Sequence, residues 1–165
     1  MPANLDGRSF ANVLRGQASK HRDKIYATHS GDGNKNIYPI RALRTEQFKY
    51  ILNVIPTKSH TTHIDRGGGS GDGWRYFDEW VAKAKSDSFA ANRVRAYHER
   101  PAEELYDLAK DPDELTNLAA NPRYSEQLSQ MRKDLVAWMD AQGDKRTVFD
   151  TPRELDEPYP KRDSP

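Results

Sequence analysis

Through the middle of the chain, apolar and polar residues alternate; further on they recur at helical spacing. Phe48, Tyr50 and Leu52 fall on one side of an extended run, and Lys49, Ile51 and Asn53 on the other. That period of two predicts a strand with one well-buried face. A second β-rich run covers residues 37–44, and only Thr45-Glu46-Gln47 separates the two. The pair reads as a hairpin. Residues 25–28 and 104–108 are shorter strand candidates. Trp74, Phe77, Trp80, Val81 and Ala84 recur at three- and four-residue steps. They predict a helix over 74–85, and a second short helix is expected over 88–97.

The last helix is the clearest. Tyr124, Leu128, Met131, Leu135 and Trp138 repeat on one stripe, Asn121 and Pro122 open it, and Gly143 ends it. Asp111-Pro112-Asp113-Glu114 reads as another helix start, with Asp111 as cap and Glu114 placed for a capping box. Residues 4–23 read as a loop with a short helix, residues 30–36 as a loop, and residues 56–73 as a long irregular stretch. After Gly143 the chain is charged and Pro-rich, and is expected to wrap a surface or stay disordered. The order of elements predicts an α+β domain, a small antiparallel sheet backed by helices. Its divisions are a connecting segment over 1–24, the folded unit over 25–143 and an extended polar tail over 144–165.

Composition narrows the chemistry. The 165 residues hold 26 Lys and Arg against 25 Asp and Glu, so no basic excess argues for nucleic acid. No cysteine is present, which removes disulfides, thiolate metal sites and thiol nucleophiles. No apolar run opens the chain, so no signal peptide is visible. No run reaches the roughly 20 apolar residues of a membrane span. The compartment stays unassigned.

Single residues carry competing readings. His29 closes the first strand at the edge of a glycine-containing loop, as an anion or hydroxyl ligand or as an ordinary strand-end histidine. Arg41 and Arg44 lie three apart on one strand and face opposite sides, so both cannot line one pocket. One of them is expected to pair with an acid such as Glu46 or Asp107. His60, His63 and Asp65 are too few, in too loose a loop, for zinc. Gly67 to Gly73 lacks the Lys-Ser/Thr ending of a phosphate loop and reads as a flexible connection. Glu99 and Arg100 suit sugar hydroxyls or an acid, or one another as a surface ion pair. Asp111, Asp113 and Glu114 look like a calcium cluster, but capping already accounts for them. Tyr124 and Trp138 read as core.

Several of these stretches, taken together, resemble one family. Tyr38-Pro39-Ile40-Arg41-Ala42-Leu43-Arg44-Thr45, then Trp74 to Lys85, Glu99-Arg100-Pro101, Glu104-Leu105-Tyr106-Asp107, Asn117-Leu118-Ala119 and Trp138 are similar, in order, to the alkaline-phosphatase-like sulfatases. The nearest branch is the heparan N-sulfatases, or N-sulfoglucosamine sulfohydrolases. The resemblance runs from about Asp6 to Asp150. It implies the C-terminal subdomain of such an enzyme: about four antiparallel strands with a long C-terminal helix packed across them and further helices in between. It implies that His29 sits at the pocket edge and faces the sulfated sugar; Glu99 and Arg100 are the further expected substrate-binding residues, on their side-chain chemistry. The family's Cys- or Ser-x-Pro-x-Arg motif, which matures to formylglycine, has no match here. Calcium and formylglycine are therefore expected in a separate N-terminal catalytic domain, which would be the partner, and no turnover is expected from this chain alone. A sulfated carbohydrate is a further expected partner. A free-standing module for sulfated carbohydrate or other anions, and a non-functional remnant, are the rival readings.

Overall fold

The computed structural model describes residues 7–31, 36–65, 74–148 and 150–156, without the side chain of Trp74. Four strands form one antiparallel sheet in sequence order: β1 (Ile25–His29), β2 (Ile40–Arg44), β3 (Phe48–Asn53) and β4 (Glu103–Asp107). Helix α1 (Ala11–Leu14) precedes the sheet. Helices α2 (Trp74–Ala84) and α3 (Ser88–His98) lie between β3 and β4. A 3-10 turn (Pro122–Tyr124) leads into α4 (Ser125–Ala141). The α+β architecture with a long last helix across a four-stranded sheet is as expected.

Register fixes the two faces. Tyr26, Leu43, Tyr50 and Leu105 lie in one row across the strands. They meet Leu128, Met131, Leu135 and Met139 of α4 to make the apolar core. Met139 extends the predicted stripe by one more step of four, while Trp138 and Tyr124 flank it. Trp138 stacks flat on Tyr26 with ring centroids 4.8 Å apart. On the same face the Glu103 carboxylate takes both Nε and Nη2 of Arg132 at 2.6 Å.

The end of α4 locks onto the sheet. Gly143 adopts φ +67°, Gly143 N–H donates to Asp140 O, and Asp144 N–H donates to Met139 O at 2.9 Å. This is the Schellman pattern, which needs the left-handed residue that glycine supplies. The turn presents Asp144 to Arg41. The guanidinium binds that carboxylate through Nε and Nη2. The expected partners Glu46 and Asp107 are thus corrected: Arg41 is held by the first residue of the tail. The described part of the tail returns along the body, where Ser59 N–H donates to Arg153 O and Lys58 pairs with Glu154.

Other expectations change. Residues 37–39 lie outside the strand, which begins at Ile40. Asp111 to Glu114 forms a turn, not a helix. Asp111 accepts from Leu115 N–H and Thr116 N–H, while Glu114 has φ +55° and reaches Lys49 at 2.6 Å. With Glu114 left-handed and engaged elsewhere, no helical turn propagates. Helix α2 buries Phe77 but leaves Trp80 53% exposed, so its predicted apolar face is only partly used. Asn117 covers the free edge of β4. Its Oδ1 accepts Leu105 N–H, its Nδ2 donates to Glu103 O, and Leu118 N–H donates to Leu105 O. Covering an edge this way removes a template for strand addition. The glycine stretch Gly67 to Gly73 lies outside the described residues.

Candidate functional site

The face away from α4 carries the groups with chemistry. Its β1–β2 half is bare: Ile25 is 58% exposed, and Ala27 and Arg44 are exposed beside it. His29 ends this half. Its Nε2 lies 2.8 Å from Asn36 O. A carbonyl only accepts, so Nε2 carries the proton, and Nδ1 is left for a ligand. Arg41 Nη1 donates to His29 O at 2.8 Å and fixes the strand end.

Across the sheet sits a second polar group. Glu104, buried on β4, accepts Arg100 through Nε at 2.9 Å and Nη2 at 2.7 Å. It also accepts Asn53 Nδ2 at 2.6 Å and the Tyr106 hydroxyl at 2.5 Å. Four donors satisfy the carboxylate on all sides, which is what permits a charge to be buried. Arg100 therefore does not pair with its neighbour Glu99. Glu99 is exposed at the C-cap of α3. His29 faces Ile40, and Ile40 faces Asn53. His29 and Arg100 thus share one end and one face of the sheet, two to three strand spacings or roughly 10–15 Å apart.

Behind Arg100 lies a cluster of rings. His60 stands edge-on to Tyr38 at 5.3 Å and to Tyr97 at 4.8 Å, and Phe77 packs on His98 at 5.5 Å. His60 Nδ1 donates to Tyr97 O, and His98 Nδ1 donates to His60 O at 2.9 Å. Burial, with the nearby Arg100 charge, brings His60 down to about 4. Burial also lowers His98. Burial pushes the Tyr38 hydroxyl up to about 12 and Asp65 up to about 6. Desolvation disfavours each charged form, so both histidines and Tyr38 are neutral near pH 7, whereas Asp65 keeps its proton only below about pH 6.

Ser59, His98 and Asp65 do not form a relay. Ser59 Oγ at 3.5 Å and Asp65 Oδ2 at 3.7 Å both approach Nδ1 of His98, the nitrogen already donated to His60 O. A triad needs nucleophile and acid on opposite nitrogens. His98 was not singled out in the sequence as a buried group; only its place between two aromatic-rich segments hinted at it. No group of three or more His, Asp or Glu among the described residues is placed to hold a metal ion. His63 is exposed and Asp111 has both oxygens taken by N–H donors. The residues present do not fit the calcium and formylglycine centre that the resemblance implies, so no catalytic step is assigned to them.

Known proteins agree with this architecture. The chain is 42% identical over 149 residues to human N-sulphoglucosamine sulphohydrolase, covering 82% of this chain and 26% of that protein. It is 30% identical over 145 residues to an ulvan-active sulfatase of Formosa agariphila, covering 87% of this chain and 26% of the enzyme. The chain is a sulfatase segment. It spans about a quarter of the length of these relatives, consistent with their C-terminal domain. No protein-family model matches it. The fold matches that of a 2-O GAG sulfatase with a TM-score of 0.54 at 23% identity, over 87% of this chain and 22% of that one. A second solved structure, a Bacteroides thetaiotaomicron protein described as a putative sulfatase, gives 0.53 with the same coverage. Among the described residues no helix of this sulfatase segment is long and apolar enough to cross a membrane.

Proposed function

We propose that the segment works as the companion subdomain of a sulfatase, docked on a catalytic domain and walling its substrate pocket. The folded unit over 25–143 forms the wall, and Asp144, Arg153 and Glu154 of the tail lie against it. His29 and Arg100 bind the sulfated carbohydrate, and exposed Glu99 supplies an acceptor for sugar hydroxyls. The observation that carries this reading is that His29 and Arg100 share one end and one face of the sheet, beside the bare β1–β2 half. Arg100 keeps Nη1 uncommitted among the described residues after both bonds to Glu104. A guanidinium nitrogen and an imidazole nitrogen on one rim suit a sulfate and its neighbouring hydroxyl. Formylglycine and calcium chemistry belongs to the catalytic domain.

The test is a chimera in which this chain replaces the matching quarter of the Formosa ulvan-active sulfatase. His29→Gln in that chimera should raise KM for sulfated ulvan fragments about 10-fold or more, the loss of one hydrogen bond to a charged group. Tm should not move. An unchanged KM would remove His29 from the pocket.

A further inference from the structure

Helices α2 and α3 pack chiefly on each other, and neither makes more than sparse contact with the sheet or α4. Between them runs a depression of about 410 Å³ lined by Phe77, Trp80, Phe89, Val94, Tyr97 and Leu115. Its rim is apolar and open: Phe89 is 61% exposed, Trp80 53% and Leu115 45%. Lys83 and Arg93 lie at its border. Arg93 sits over the Phe89 ring and donates Nη1 to Leu115 O, but its Nε has no partner among the described residues.

A helix pair that meets the body through Phe77, Tyr97, His98 and Arg93, yet carries this much exposed aromatic surface, is shaped for a second surface. Aromatic anchors in a pocket with arginine beside them are the composition of an interface centre. We infer that this groove docks an apolar segment of the sulfatase catalytic domain, one that carries a carboxylate to meet Lys83 and Arg93. Two observations select that occupant over a second copy of this chain. About three-quarters of each of these sulfatase relatives lies outside the part matched here. The border of the groove is cationic, so two copies would bring like charges together. The inference rests on the companion-subdomain reading and adds where the two parts meet.

The test compares the full chain alone with the chimera, each with and without Trp80→Glu plus Phe89→Glu. Both side chains are exposed in the chain alone, so its Tm should move by less than about 2 °C. In the chimera the same pair should lower Tm by about 10 °C or cost most of the folded yield, because two charges enter a dry contact. Equal, small shifts in both contexts would overturn the inference. So would a chimera that cannot fold around the unsubstituted chain, and so would a chain that sediments as a dimer dissociated by the two substitutions. His29→Gln leaves Tm alone and changes KM, so failure of the pocket reading is separable from failure of the docking site.

Discussion

The two faces of the sheet hold this segment together by different physics. On the α4 face, Leu43, Tyr50 and Leu105 meet Leu128, Met131, Leu135 and Met139 in a continuous apolar core. On the other, a buried carboxylate gathers four donors, and neutral histidines pack among aromatic rings. The first arrangement stabilises by area and is indifferent to pH. The second depends on every partner being present, and its uncovered half leaves Ile25 and Ala27 in water. The contrast separates the part that maintains the fold from the part proposed to meet substrate and catalytic domain.

The contrast breaks first in the apolar core. Leu135 is fully buried on α4, so Leu135→Ala should cost about 3–4 kcal/mol by denaturant unfolding. A cost below about 1 kcal/mol would mean that α4 does not seal this face. On the polar face, Glu104→Gln keeps the shape but removes the charge that Arg100 needs. It should cost about 2–3 kcal/mol, with Arg100→Met in the same chain recovering a measurable share. Strict additivity of the two substitutions would deny that they form one unit.

Acid titration sharpens the comparison further. The native His60 titrates near 4, below its ordinary range, so the unfolded chain binds the extra proton between about pH 4 and 6.5. Its contribution is present above that window and lost as pH falls through it. Native Asp65 titrates near 6, above its ordinary range, so between about pH 4 and 6 the native state binds the extra proton. Its contribution is present below that window and lost as pH rises. The two slopes oppose, each up to about 1 kcal/mol per pH unit. Asp65→Asn should therefore make stability rise more steeply with pH across 4–6, and His60→Asn should reduce that slope. The lowered His98 adds to the His60 slope. Equilibrium unfolding at a series of pH values measures both, and identical flat profiles for the two variants would contradict the buried placement. The smallest effect belongs to the tail: Asp144→Asn should cost about 1–2 kcal/mol by weakening the hold on Arg41.

Most of the apolar face was legible in the sequence. The four-three spacing from Tyr124 to Trp138 states which side is buried; the period-two run at residues 48–53 states which residues share a face, though β3 also buries Ile51 and Asn53 on the other. The polar face was not, because its partners are far apart in sequence. Asn53 meets Glu104 across 51 positions there, and on the α4 face Arg41 meets Asp144 across 103; no local period records such pairs. Glu114 shows the opposite failure. Its spacing from Asp111 suits a capping box, but Lys49 on β3 captures the carboxylate and the turn ends there. The pocket-edge reading of His29 came from the resemblance, and that of Glu99 and Arg100 from their chemistry; spacing alone places none of them together, and the strand register with the Arg100–Glu104 bonds puts His29 and Arg100 on one rim.

Amide hydrogen exchange tests the division of labour most directly, on the chain alone and within the sulfatase chimera. The account predicts added protection in the chimera along β1, at residues 97–101 and through α2 and α3, with α4 protected alike in both. Protection gained on α4, or none gained on the His29 and Arg100 side, would contradict it.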